Sequence, residues 1–308
     1  MPYRIRPDRD LPTELRSVAR RQLDHAITVL QAKPDGLHEA IHEARKKFKR
    51  VRNLLRLVAH ADKAFFKQQN TSLGAAARSL SRIRDATALM ETVTHLTTFA
   101  NEEEAETLDA TRTVLELRRD EIAAQETDLE EKVAGVIADC RLSLGALEAL
   151  DLPSKAGPAA RLIAKGWLKA LKRAHAALDG CKSEGHGESF HDLRKSAQAH
   201  WMNLSLLRDL WPSAFAAKSR DAKILVDLLG HEHDLTVLTE LFDTEPDLFG
   251  SGEDQSFLLA IIIRRQQDLR REALALAEIV FSDGARREAD VIETLWTAAA
   301  IGKITGHG

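Results

Sequence analysis

Apolar residues recur at three- and four-residue intervals along nearly the whole chain, the spacing that keeps one side of an α-helix apolar. No stretch alternates with the period of two that a half-buried strand needs. The segments are rich in Ala, Leu, Glu, Lys and Arg, all strong helix formers. Proline and glycine cluster between them, at "KPDG" (33–36), "DLPSKAGP" (151–158), "KSEGHGES" (182–189), "WPS" (211–213) and "TEPDLFGSGED" (244–254), where they interrupt the pattern. The pattern predicts helices over 12–32, 37–60, 62–99, 102–126, 128–150, 156–180, 187–210, 213–243, 254–281 and 285–300. Residues 102–150 read as one helix or as two. The fold class is all-α.

The pattern is also written twice. "IHEARK" (41–46) aligns with "FHDLRK" (190–195) at an offset of 149 residues, and the same offset places "RDATAL" (84–89) on "HDLTVL" (233–238). Leu55, Leu57 and Phe66 meet Leu204, Leu206 and Phe215 with no gap. Two copies of one helical unit are expected, 1–152 and 153–308, meeting near Pro153 or Gly157.

Charge changes the picture in one segment. The chain has a formal charge of −3, yet His42 to Arg56 carries seven Lys and Arg against one acid, Glu43. On a helix, His42, Arg45, Lys46, Lys49, Arg52 and Arg56 fall within an arc of about 120°, over a length of about 21 Å. Ile41, Ala44, Phe48, Val51, Leu54, Leu55 and Val58 take the other side. A solvated helix usually mixes charge signs for i,i+4 pairing; this stripe has little to pair with, and guanidinium forks suit phosphate oxygens. The second copy keeps His191, Arg194 and Lys195 but has Gln198, Trp201 and Ser205 where the first has Lys49, Arg52 and Arg56, so the first half is expected to supply most of the binding energy. Arg16 and Arg20, with Lys165 and Lys169, are weaker candidates whose i,i+4 spacing keeps each pair on one face.

A helix with this spacing of His, Arg and Lys, repeated in a second half, resembles the CHAD family. So do "RIRDATAL" and "GHEHDLTVL", about forty residues after each histidine. The resemblance covers roughly residues 10–300 and implies two pseudo-symmetric antiparallel four-helix bundles in a stand-alone member. It also implies a basic central channel that binds inorganic polyphosphate through His42, Arg45, Lys46, Lys49, Arg52, Arg56, His191, Arg194 and Lys195. Histidines in such a site would gain charge beside a polyanion, so affinity is expected to rise as pH falls from about 8 to about 6.

Other readings are less well supported. "HEAIH" (38–42) matches a zinc-protease pattern, but cations at Arg45, Lys46 and Lys49 would repel the metal, and His38 aligns with Gly187. "HEARK" (42–46) suggests a phosphoacceptor histidine, which leaves a phosphotransfer or protein-interaction bundle as the alternative. His231 and Asp234 of "HEHD" suggest metal ligands, although Asp234, like Asp85, reads better as an acid pairing with a basic neighbour. No nucleophile–base pair, P-loop or carboxylate–metal cluster can be argued, so neither an enzyme nor a cofactor nor a metal site is expected. Cys140 and Cys181 are too few for a disulfide framework. The longest wholly apolar run, "FLLAIII" (257–263), is far short of the ~20 residues a spanning helix needs, and the N-terminus has no apolar signal core. A cytoplasmic protein is expected, with polyphosphate granules as one destination. A sequence pI of about 6.5 argues against a general nucleic-acid binder. Residues 102–131 hold twelve acids and three arginines, which would either repel nucleic acid or meet a basic partner.

Overall fold

A computed structural model describes residues 3–183, 185 and 187–301. Eleven α-helices and three short 3₁₀ turns account for the regular structure of the described residues, with no strand among them. The helices are α1 (Leu11–Ala32), α2 (Leu37–Leu57), α3 (Lys63–Ser79), α4 (Arg82–Thr97), α5 (Glu102–Gln125), α6 (Leu129–Ala146), α7 (Ala156–Ser183), α8 (Gly187–Leu206), α9 (Pro212–Thr244), α10 (Gly252–Val280) and α11 (Ala285–Ile301). No described helix is long and apolar enough to cross a membrane.

Two of these boundaries refine the sequence reading. The expected helix 62–99 is divided at Leu80 and Ser81. Ser81 N donates to Arg78 O at 3.0 Å, tightening the last turn of α3, while the Arg45 guanidinium, reaching over from α2, donates to Ala77 O at 2.8 Å. A carbonyl freed at the helix end is thereby satisfied by a distant side chain, which an isolated helix could not arrange. In the second half the corresponding stretch stays one continuous helix, α9. Residues 102–150 form two helices, and the connection holds Glu126, which is buried and paired with Arg82 (3.4 Å) and Lys132 (2.5 Å). α5 begins with a capping box between Asn101 and Glu104, and Glu104 also receives both forks of Arg264 from α10, at 2.6 and 2.9 Å.

Apolar faces segregate into two interiors. The larger gathers α1, α2, α3, α6, α7, α8, α11, the first half of α9 and the end of α10 around Phe48, Trp167 and Trp296. The smaller joins α4 (Leu89, Val93, Leu96) and α5 (Leu108, Leu115) to the later part of α9 (Leu235, Leu238, Phe242) and the first part of α10 (Leu258, Ile262, Leu269). Each interior draws residues from both sides of the boundary expected near 153. At 149 residues after α2 lies α8, and at the same offset after α3 and α4 lies α9. α2 and α8 meet in the larger interior through a buried hydrogen bond from Asn53 Nδ2 to Asn203 Oδ1 of 2.8 Å. A buried polar pair of this kind stays favourable only while both partners are matched, so it fixes how the two helices cross.

Candidate functional site

The apolar side of α2 is fixed in the larger interior by Ile41, Ala44, Phe48, Val51, Leu54 and Leu55, all buried. Its opposite side therefore turns towards α4, α8 and α9, where a cavity of about 640 Å³ opens. His42, Arg45, Lys46 and Lys49 line it from α2, Arg84, Asp85, Glu91 and His95 from α4, Arg194 from α8, and His231, His233 and Asp234 from α9. The cavity thus lies where helices of the larger interior meet helices of the smaller one.

Its charges are of two kinds. Some are internally paired: Lys46 with Glu43 at 2.6 Å, Arg84 with both oxygens of Glu91 at 2.7 Å, and Arg45 within 3.5 Å of Asp85. Lys49 and Arg194 have no ion pair or hydrogen bond from their side chains among the described residues. Burial, then the nearby Arg194 and Arg45, push the Lys49 ammonium down to about 8, with Asp234 opposing. Burial likewise lowers the Arg194 guanidinium and raises the Asp234 carboxyl. The histidines follow the same logic. Burial and then neighbouring cations depress His42 and His191, and burial beside Arg194 pushes His233 down to about 4. His95 stacks on His231 at 3.9 Å between ring centroids, and His191 lies 4.9 Å from His233. Cations packed this closely destabilise one another; an anion placed among them would reverse the sign of that interaction.

The cationic line continues beyond this cavity. Arg52 feels Arg78 from α3 and acts in turn on Lys49 and Arg56, while its Nε donates to Asn70 Oδ1 at 2.9 Å. Arg56 then enters a second cavity of about 630 Å³ with Arg173 of α7 and Lys195 and Asp192 of α8. Its Nε is buried and has no hydrogen-bond partner among the described residues, an uncommon state for a charged group. Arg52 thus lies on α2 between the residues that line the first cavity and Arg56, which lines the second.

A model of the CHAD domain matches residues 17–243, most of the chain. The chain belongs to the CHAD domain family. Among solved structures, the CHAD domain from the plant Ricinus communis is similar at 19% identity, with 92% of this chain and 97% of that one covered and a TM-score of 0.63. At that identity the likeness shows the fold alone. No curated protein matches.

Within this CHAD chain, the first cavity collects His42, Arg45, Lys46, Lys49 and Arg194 among the expected residues. Arg56 and Lys195 line the second; Arg52 lies between, and His191 packs behind His233. The four weaker candidates line neither. Arg16 donates to the carbonyls of Leu147, Glu148 and Leu150 at 3.1, 3.3 and 2.8 Å, closing the turn that follows α6. Arg20 pairs with Glu148 at 2.8 Å. Lys165 and Lys169 are exposed on α7, on the side of His60. One turn beyond Lys169, Arg173 does reach the second cavity; extending the Lys165–Lys169 row by four residues leads to it. The motifs contain Arg84 and His231 but do not place them, because only tertiary packing brings α4 and α9 against α2. Asp85 approaches Arg45 as the sequence reading expects, and Asp234 faces Arg194 and Lys49. Among the described residues no group of three or more His, Cys, Asp or Glu is placed to hold a metal.

These charge states predict how a polyanion would respond to pH. Lys49 is protonated below about 8 in the free protein, and a bound polyanion would raise its pKa, so affinity falls as pH climbs above that value. Burial depresses His42 and His191 in the free protein and a bound anion would oppose that shift, so affinity is also expected to rise as pH drops towards 6. The free fold behaves oppositely at the alkaline end. Lys49 binds its proton more weakly folded than unfolded, so its penalty is full below about 8 and is relieved as pH rises towards the unfolded value of about 10.4. Binding isotherms and thermal melts across this range should move in opposite directions above pH 8; a flat affinity profile would contradict the assignment.

Proposed function

We propose that this CHAD protein binds inorganic polyphosphate along the cationic line on α2, retaining the polymer without catalysing its turnover. The observation that carries this reading is the approach of Lys49 and Arg194, one from each half and neither paired, inside a single cavity. A chain of phosphates supplies about one negative charge per unit and would neutralise them in series. Arginine forks at 52, 56 and 194 can grip phosphate oxygens in pairs, while Arg45, held by Ala77 O and Asp85, adds its charge to the wall. The first cavity, of about 640 Å³, brings His42, Lys49 and Arg194 to one wall system where several phosphates of one chain could be met together. The residence expected on this reading is the cytoplasm, at polyphosphate granules.

An electrophoretic shift with polyphosphate of defined length, competed with DNA and with short phosphates, tests this directly. The long polymer should shift the protein; pyrophosphate should compete poorly because it is too short to span a row of cations about 21 Å long, and DNA because the sugars between its phosphates lower its charge density. Log affinity should fall against log salt with a slope steeper than about −3, since each neutralised phosphate releases most of one counterion. A shallow slope, or equal competition by DNA, would reject a site of this kind.

A further inference from the structure

A third cavity, of about 440 Å³, opens on the second half outside the cationic line on α2. Its walls include Trp201 of α8, Arg208 of the 3₁₀ turn that follows, and Phe215, Arg220 and Lys223 of α9. Trp201 stands 149 residues after Arg52, where the sequence trades a guanidinium for an indole. The local geometry is comparable in the two halves. Arg52 lies over Gly74, its guanidinium carbon 3.6 Å from where a Cβ would stand. Trp201 lies by Lys223, the residue 149 after Gly74, whose Nζ is 5.8 Å from the ring centroid.

The exchange alters what the cavity can hold. A guanidinium fills its place with charge, whereas a half-buried indole presents a flat apolar surface with cations around it. Arg208 and Arg220 have no ion pair among the described residues. Lys223 is held by Asp227 at 2.5 Å. Asp209, the carboxylate on this wall, is engaged by Arg4 at 3.3 Å. α9 starts beside the cavity at Pro212 with no side-chain cap, which adds the positive end of a long helix to the same rim. A space of about 440 Å³ falls within the range of small-molecule sites.

A ring to stack on, next to two unpaired guanidinium groups, is the chemistry that recognises an aromatic base carrying a phosphate. We infer that this cavity binds a nucleoside phosphate, its base against Trp201 and its phosphate between Arg208 and Arg220. The site is separate from the cationic line on α2 and does not depend on the polyphosphate reading.

Titration calorimetry with AMP, adenosine and inorganic phosphate tests the proposal on the full chain. AMP should bind below about 1 mM, and adenosine and phosphate alone should each bind at least about tenfold more weakly. Trp201→Ala should weaken AMP by about tenfold or more, and so should Arg208→Glu with Arg220→Glu, which touches only the cavity rim and leaves the interior intact if the tryptophan variant fails to fold. Lys49→Glu, in the other cavity, should leave AMP binding unchanged. No AMP binding at that concentration, or affinity indifferent to the rim variant, or loss only with Lys49→Glu, would each overturn the assignment.

Discussion

Lys49→Glu combined with Arg194→Glu is expected to lower affinity for long polyphosphate at least about 100-fold, from the loss of two charge-assisted contacts worth roughly 1.5–3 kcal/mol each. These two positions isolate binding from folding. Arg45 closes the end of α3 through Ala77 O, so its replacement would disturb the helix break as well as the site. Lys49 and Arg194 hold nothing else in place, and each is destabilised by its surroundings. The neutral variant Lys49→Met should therefore weaken binding while raising the melting temperature of the free protein, by about 2 °C if ~1 kcal/mol of charge burial and repulsion is removed. Opposite changes in stability and affinity at one residue are the mark of a charge kept for a ligand. Isotherms with defined-length polymer and thermal melts of the same variants check both signs. Undiminished affinity in the double variant would place the polyanion elsewhere.

The second large effect is structural. Gly166→Ala should destabilise the fold by at least about 3 kcal/mol, a core overpacking of the severe kind. A Cβ at Gly166 would stand 1.8 Å from the Leu57 carbonyl oxygen and 2.7 Å from its carbon. Those atoms are backbone, so no side chain can swing aside, and α7 would have to withdraw from the end of α2. Helix propensity alone argues the other way, since alanine is favoured over glycine by about 1 kcal/mol in a helix interior. Gly135 supplies the contrast: it is exposed in α6, and a methyl group there would meet nothing within 4 Å. Gly135→Ala should stabilise by roughly 0.5–1 kcal/mol. Melting curves of the two variants should shift in opposite directions. Because Arg56 and Arg173 face each other across that same α2–α7 contact, Gly166→Ala should also open the second cavity.

Most of the helices are legible in the sequence because an amphipathic helix declares its period locally. The stripe on α2 is legible for the same reason: with Phe48, Val51 and Leu54 committed to the interior, the cations have one direction left. What periodicity does not carry is the identity of the element opposite. Arg16 and Lys165 have the spacing of a ligand row, yet one closes a turn after α6 and the other faces the end of α2. The division at Leu80 and Ser81 has no proline or glycine to signal it and depends on Arg45 arriving from another helix. His233 and Asp234 enter the site because α9 runs through both interiors, a fact fixed by tertiary packing. The loss of cations at Trp201 and Ser205 is plain in the aligned repeats; that the indole borders a cavity of its own is not.

The way the two interiors are assembled has a bearing on how such a molecule could arise and be divided. α4 and α5 pack on each other and complete their interior against α9 and α10, so a chain ending near residue 152 would leave part of their apolar faces in water. Two such shorter chains could still complete each other by exchanging arms, as in an intertwined dimer. The single polypeptide is then equivalent to that dimer with its subunits fused, and severing the connection at 150–155 would leave the pieces clasped.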